Sequence, residues 1–73
     1  MEKIVRLGLV GCGKRGVAIG RLFRDHPDCR VTALMDIYPA IAERAAGALE
    51  LTEARLFADF DEMLGAGEED ALL

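Results

Sequence analysis

Several features that define common protein classes are missing from this sequence of 73 residues. No apolar stretch approaches the 18 or more residues that a membrane-spanning helix needs. Arg6 interrupts the apolar segment 4–13, and no small-residue cleavage site follows it, which argues against a secretory signal. Lys and Arg number 9 against 13 Asp and Glu, which disfavours a nucleic-acid or anionic-membrane surface. We therefore expect a cytoplasmic protein with no nucleic-acid and no membrane partner.

Cysteine is also scarce, and its two residues are not spaced for metal binding. Cys12 and Cys29 form no C-x-x-C pair and have no cluster of ligand residues beside them in the sequence. Without such ligands we expect no metal site. Isolated thiols are also typical of proteins in a reducing cytoplasm. The sequence also contains no repeat, no low-complexity segment and no identifiable pair of catalytic nucleophile and base.

Apolar residues are abundant enough for a folded core. They make up 52% of the chain and charged residues 30%, which is typical of globular rather than disordered proteins. A chain of this length buries only about 60% of the surface that it exposes when unfolded. We expect a thin core, and only marginal folding of the 73 residues alone.

Strand and helix patterns alternate along the chain. Buried-type strands are predicted at residues 3–10, 30–35 and 55–58, and residues 71–73 resemble the start of a fourth. Helices are predicted from Arg15 to a stop at Pro27, from Pro39 onward, and from an N-cap at Asp59 to a C-cap at Gly65. This βαβαβα order predicts an α/β fold with a parallel sheet and right-handed crossovers.

Residue spacing also predicts how the helices pack. The first helix is expected to bury the face that carries Gly16, Ile19, Gly20 and Phe23. Right-handed crossovers place the first two helices on one face of the sheet, so the opposite face is expected to stay open to association. The acidic run at 68–70 is expected to form a solvated turn.

Three glycines follow the first strand in the segment GLVGCGKRG, at Gly11, Gly13 and Gly16. This spacing would arise by chance in roughly one sequence in ten of such glycine content, so the pattern alone is weak. A dinucleotide site further requires the glycines to end a strand and open a helix, with an acidic residue about 20 positions on. Asp36 ends the second strand, 20 residues after Gly16. The sequence therefore predicts the N-terminal portion of a Rossmann-type, doubly wound sheet.

The three glycines have different expected tasks in this turn. Gly11 permits the tight turn off the strand. Gly13 lacks a Cβ and so lets the backbone approach a pyrophosphate, while Gly16 lets the helix pack on the sheet. The N–H groups of the first helical turn then face the phosphates, which the helix dipole also attracts.

Charged residues complete the predicted site. Lys14 and Arg15 add positive charge beside the phosphates, although solvated side chains that point away are an equal alternative. Asp36 is expected to bind ribose hydroxyls and to repel a 2′-phosphate, which favours NAD over NADP as cofactor. Its alternative role is to cap a local turn.

The whole chain resembles the N-terminal domain of the glucose-fructose oxidoreductase, inositol dehydrogenase and MocA-like family (Gfo/Idh/MocA). The resemblance rests on the segments VRLGLVGCGKRG, RLFRDHPDCRVTALMD, YPAIAERAA and FADFDEMLGAGEEDALL. It puts the dinucleotide contacts on the turn 11–16 and on Asp36. It implies a parent oxidoreductase that transfers a hydride between a nicotinamide cofactor and a sugar, cyclitol or similar alcohol.

The family pattern would continue into a Glu-Lys-Pro motif whose Lys lies in the active site, and into a C-terminal substrate domain. Neither is present in residues 1–73, which the resemblance identifies as an inactive N-terminal fragment of a dinucleotide-binding domain. The parent is expected to bind a small-molecule substrate and to form a homo-oligomer through the C-terminal domain. Two alternatives stay open: a non-catalytic dinucleotide-binding regulator or sensor, and a flavin-dependent Rossmann protein.

Overall fold

The structure is a computed structural model that describes residues 4–73, so Lys3, the predicted start of the first strand, lies outside the described residues. Strands and helices alternate along this range, and none of its helices has the length and apolarity to cross a membrane. In chain order the elements are β1 (Val5–Val10), α1 (Lys14–Arg24), β2 (Cys29–Met35), α2 (Pro39–Ala48), β3 (Arg55–Phe57), α3 (Phe60–Ala66) and β4 (Ala71–Leu72).

The four strands form one parallel sheet in the order β3-β2-β1-β4. The chain steps outward from β1 to β2 and β3, and then returns to the free side of β1. Because each crossover between parallel strands is right-handed, this reversal sends α3 to the sheet face opposite α1 and α2. The Rossmann-type α/β fold predicted from the sequence is confirmed, and the order reverses beside β1.

Both faces of the sheet carry a core, which corrects the expectation that one face would stay open. The face of α1 and α2 is built around buried residues that include Leu9 and Leu49. On the other face, Met63 of α3 packs with Met35 and Phe57. Gly8 allows this approach, because a Cβ built there would lie 2.6 Å from the Met63 Cε.

Helix α1 buries the predicted face at Gly20 and half-buries it at Gly16 and Phe23, but Ile19 is an exception. Ile19 is 38% exposed, whereas Gly20 is buried and Val17 packs against the core. A Cβ at Gly20 would lie 3.0 Å from the Leu49 Cδ1 and 3.3 Å from the Leu9 Cδ2. The small residue therefore lets α1 pack closely on Leu49 and Leu9, and Ile19 instead faces the cleft that Leu73 also lines.

Helix α3 begins as predicted and ends later. The Asp59 carboxylate accepts hydrogen bonds from the N–H groups of Asp61 and Glu62, at 2.8 and 3.4 Å. The predicted C-cap at Gly65 is wrong, because the helix continues to Ala66 and Gly67 is the cap. Gly67 has a φ of 65°, the left-handed conformation in which glycine commonly ends a helix.

The acidic run at 68–70 is bonded to the sheet rather than simply solvated. Asp70 forms an ion pair with Arg6 at 3.0 Å, and its N–H donates to the Arg6 carbonyl at 2.7 Å. Glu68 pairs with Arg55 at 3.1 Å, and its carbonyl accepts a bond from the Thr32 hydroxyl. Arg6, the charged exception in an apolar strand, thus helps to hold β4 beside β1.

Candidate functional site

The predicted turn lies at the carboxyl ends of β1 and β2, where the two strands finish side by side. The Gly11 N–H donates to the Met35 carbonyl at 2.9 Å, and the Cys12 N–H donates to the Asp36 Oδ2 at 3.0 Å. The sequence predicts Asp36 beside the glycines, and in the structure its carboxylate contacts Cys12, which lies between Gly11 and Gly13.

Each of the three glycines in the turn is needed for a different reason: backbone conformation, a close backbone contact, or open space for a ligand. Gly11 has a φ of 87°, a left-handed conformation that glycine adopts without steric cost. A Cβ at Gly16 would lie 2.0 Å from the Gly11 carbonyl oxygen, so Gly16 lets α1 start directly against the turn rather than against the sheet. A Cβ at Gly13 would have no heavy atom within 4 Å, so the space outside Gly13 is open to a ligand.

The N-terminus of α1 has no internal cap. Gly13 is the N-cap and has no side chain that could accept a hydrogen bond from the first N–H groups. Among the described residues, the first turn of α1 contains no acidic side chain either. Helix α3 shows the opposite arrangement, since Asp59 caps it and Asp61 and Glu62 occupy its first turn. Helix α1 thus begins without a side-chain acceptor for its first N–H groups, as α2 also does, and a helix start of this kind attracts anions.

Five of the six predicted residues line a single cleft of about 400 Å³ between the turn, the end of β1 and the side of α1. These are Gly11, Gly13, Lys14, Arg15 and Gly16, together with Leu9, Val10, Ile19 and Leu73. Lys14 and Arg15 are exposed and form no ion pair with residues 4–73. Asp36 does not line this cleft, because it contacts the turn from the side of β2.

Asp36 is held by two backbone amides. Its Oδ2 accepts from the Cys12 N–H at 3.0 Å, and its Oδ1 accepts from the Tyr38 N–H at 2.9 Å. The bond from Cys12, followed by the bond from Tyr38, lowers the pKa of Asp36 below its ordinary value. The local turn contact considered from the sequence is therefore present. Each carboxylate oxygen keeps a second lone pair for a ribose hydroxyl.

Cys12 belongs to the site, although the sequence indicated only an isolated thiol there. Its side chain is 2% exposed, and the Sγ–H donates to the Met35 carbonyl at 3.4 Å. Burial, and then the negative charge of Asp36, raise the pKa of the Cys12 thiol to about 11. Cys12 is thus a packing residue that anchors the turn. Its position between two glycines at the end of a buried strand was the available signal.

Several solved structures of similar fold are dehydrogenases. The myo-inositol dehydrogenase of Lactobacillus casei, in complex with NAD(H) and myo-inositol, shares 30% identity and a TM-score of 0.83 over 94% of this chain and 20% of its own. The WlbA dehydrogenase of Bordetella pertussis, in complex with NADH and UDP-GlcNAcA, shares 30% identity and a TM-score of 0.83 over 96% and 21%. The scyllo-inositol dehydrogenase of Lactobacillus casei, with NAD(H) and scyllo-inositol, shares 26% identity and a TM-score of 0.79 over 97% and 21%.

No protein-family model and no curated protein sequence matches the chain. The chain spans about a fifth of the length of the solved dehydrogenases that it matches. The structural match extends over nearly all of the present chain. The resemblance to the Gfo/Idh/MocA-like oxidoreductases that the sequence predicted is therefore confirmed.

Proposed function

We propose that this chain binds NAD as part of an oxidoreductase that transfers a hydride between a nicotinamide cofactor and a sugar, cyclitol or similar alcohol. The observation that carries the proposal is the uncapped N-terminus of α1, which opens from a glycine turn in direct contact with the Asp36 carboxylate. The similar dehydrogenases, crystallised with NAD(H) or NADH and with inositols or a nucleotide sugar, support the same cofactor and substrate class.

The turn fits a pyrophosphate for reasons that its own atoms supply. The open space at Gly13 admits an anion close to the backbone, and the contact of Gly16 with Gly11 keeps the first N–H groups of α1 beside that space. Lys14 and Arg15 lie next to them and add positive charge. Bound NAD would supply the hydride acceptor of the reaction, and the turn would supply attachment and orientation.

Asp36 accounts for the proposed preference for NAD over NADP. Two amide donors stabilise its ionised form, so the carboxylate stays charged at neutral pH. A charged acceptor favours ribose hydroxyls, which donate hydrogen bonds, and repels a 2′-phosphate.

Hydride transfer itself is not assigned to any of residues 4–73, and we propose that the 73 residues alone do not turn over substrate. The substrate, a homo-oligomeric assembly and a cytoplasmic location are proposed for the whole protein of which this chain would be a part. The dehydrogenases of similar fold, about five times as long, support this division of roles.

The substitution Gly13→Asp tests the proposal, because it should change stability and binding in opposite directions. A carboxylate at the N-cap would accept from the first N–H groups of α1 and would raise the free energy of unfolding by about 0.5 to 1 kcal/mol. The same carboxylate would occupy and repel the phosphate position, so NAD affinity should fall at least about tenfold. Thermal unfolding and calorimetric titration with NAD measure the two effects.

The matched control is Leu22→Asp, which adds the same charge to the same helix at a side chain that is 74% exposed. It should leave NAD affinity within about twofold of wild type, because a solvated charge about two and a half helical turns away lies beyond the screening length of about 8 Å. A Gly13→Asp protein that stays folded and retains its NAD affinity would contradict the proposed function.

A further inference from the structure

We propose that Asp36 positions the glycine turn for the pyrophosphate, a role separate from contact with the ribose. This inference rests on the proposed function, because it assigns a second task to a residue of that same site. In this role Asp36 is a positioning residue that acts through the backbone of Cys12.

Three hydrogen bonds join the end of β2 to the turn. Two of them reach the Met35 carbonyl, from the Gly11 N–H at 2.9 Å and from the Cys12 Sγ at 3.4 Å. The third runs from the Cys12 N–H to the Asp36 Oδ2 at 3.0 Å. Asp36 thus supplies the side-chain acceptor among these three bonds. It binds the N–H of Cys12, the residue that precedes Gly13.

Asp36 is itself held in place by two further hydrogen bonds, one at its carboxylate and one at its backbone N–H. Its Oδ1 accepts from the Tyr38 N–H at 2.9 Å, and the Asp36 N–H donates to the Phe57 carbonyl of β3 at 3.0 Å. Asp36 therefore connects the turn to the ends of β2 and β3. Glycine-rich backbone loses much conformational freedom on ordering, so a turn with Gly11 and Gly13 benefits from such an anchor.

Positioning and ribose contact predict different responses to a ligand that has no ribose. Inorganic pyrophosphate carries the phosphates and nothing else. If Asp36 acts only on the ribose, its removal deletes a negative charge near an anion and should leave pyrophosphate affinity unchanged or increase it. If Asp36 positions the turn, its removal releases the Cys12 amide and should weaken pyrophosphate binding.

The experiment titrates inorganic pyrophosphate and NAD into the 73-residue chain and its variants by calorimetry, with amide spectra by NMR. Asp36→Ala should bind pyrophosphate at least about fivefold more weakly than wild type, as expected for loss of a hydrogen bond to a charged group. The Cys12 amide proton should shift upfield in the same variant, because its carboxylate acceptor is gone. Glu43→Ala, which removes an exposed acid from α2, is the charge control and should not weaken binding.

Asp36→Glu provides a second variant in which the charge is kept and the carboxylate moves by one methylene. It should weaken pyrophosphate binding at least about threefold, and it decides the question if Asp36→Ala fails to fold. Pyrophosphate affinity equal to or above that of wild type, in a folded Asp36→Ala or otherwise in Asp36→Glu, overturns the positioning role and leaves the proposed function intact. A folded wild-type chain that binds neither pyrophosphate nor NAD overturns both.

Discussion

The contact between Gly16 and the Gly11 carbonyl can be tested by adding a single methyl group. A Cβ at position 16 would lie 2.0 Å from that oxygen and 3.0 Å from its carbon, and both atoms belong to the backbone. No side-chain rotation can relieve this overlap, so the start of α1 must move away from the turn by about 1 Å or more. Such overpacking costs about 1 to 3 kcal/mol, against a gain of about 0.5 to 1 kcal/mol when alanine replaces glycine in a helix. Because a contact of 2.0 Å with backbone belongs in the upper part of that cost, about 2 to 3 kcal/mol, Gly16→Ala should show a net loss of about 1 to 2 kcal/mol.

Thermal and denaturant unfolding measure this loss, and Gly47→Ala is the matched control. Gly47 is also helical, but a Cβ there would have no heavy atom within 4 Å. A change of 1 kcal/mol shifts the melting temperature of a domain this small by about 4 to 8 °C. We expect Gly16→Ala to melt at least about 4 °C below wild type and Gly47→Ala to melt above it. If Gly16→Ala were as stable as Gly47→Ala, the close approach of α1 to the turn would be refuted.

Two further predictions concern the residues that meet at the turn. In the native chain at pH 8, iodoacetamide should label the partly exposed Cys29 well before the buried Cys12. With the pKa of the Cys12 thiol raised to about 11, its thiolate should be about a thousandth of the population at that pH and should increase as the pH rises toward 11. Equal labelling rates in the folded chain, read by mass spectrometry, would contradict this environment. Asp36→Ala should reduce or reverse the preference for NAD over NADP. An unchanged ratio of the two affinities, measured by calorimetry, would show that Asp36 does not distinguish a ribose hydroxyl from a 2′-phosphate.

Much of the candidate site is local in the sequence and could be predicted from it. The turn follows from three glycines between a buried strand and an amphipathic helix, because strand end, turn and helix start are consecutive in the chain. Asp36 could be placed beside them because parallel strands joined by a crossover end at the same edge of a sheet. The Asp59 cap of α3 was likewise predictable, since its donors lie two and three residues away.

Contacts that depend on the packing of one element against another could not be predicted in this way. The sequence contains no sign that Asp36 bonds the Cys12 amide, that Gly16 contacts a carbonyl oxygen, or that Ile19 turns away from the core. The bond to Cys12 depends on how β2 ends beside the turn, and the other two depend on how α1 packs against its neighbours, including Gly20 against Leu49 and Leu9.

The sequence by itself therefore determined the order of elements, the position of the turn and the acidic residue at its side, because strand and helix periodicity and glycine spacing are local properties. The tertiary structure decided which face α3 covers, why Arg6 stands in an apolar strand, and how Asp36 is held. These features arise where β4 returns beside β1 and where β2 ends against the turn. The bonds from Cys12 to Asp36 and from Arg6 to Asp70 join residues that are 24 and 64 positions apart in the chain, and only the folded sheet brings them within hydrogen-bond distance.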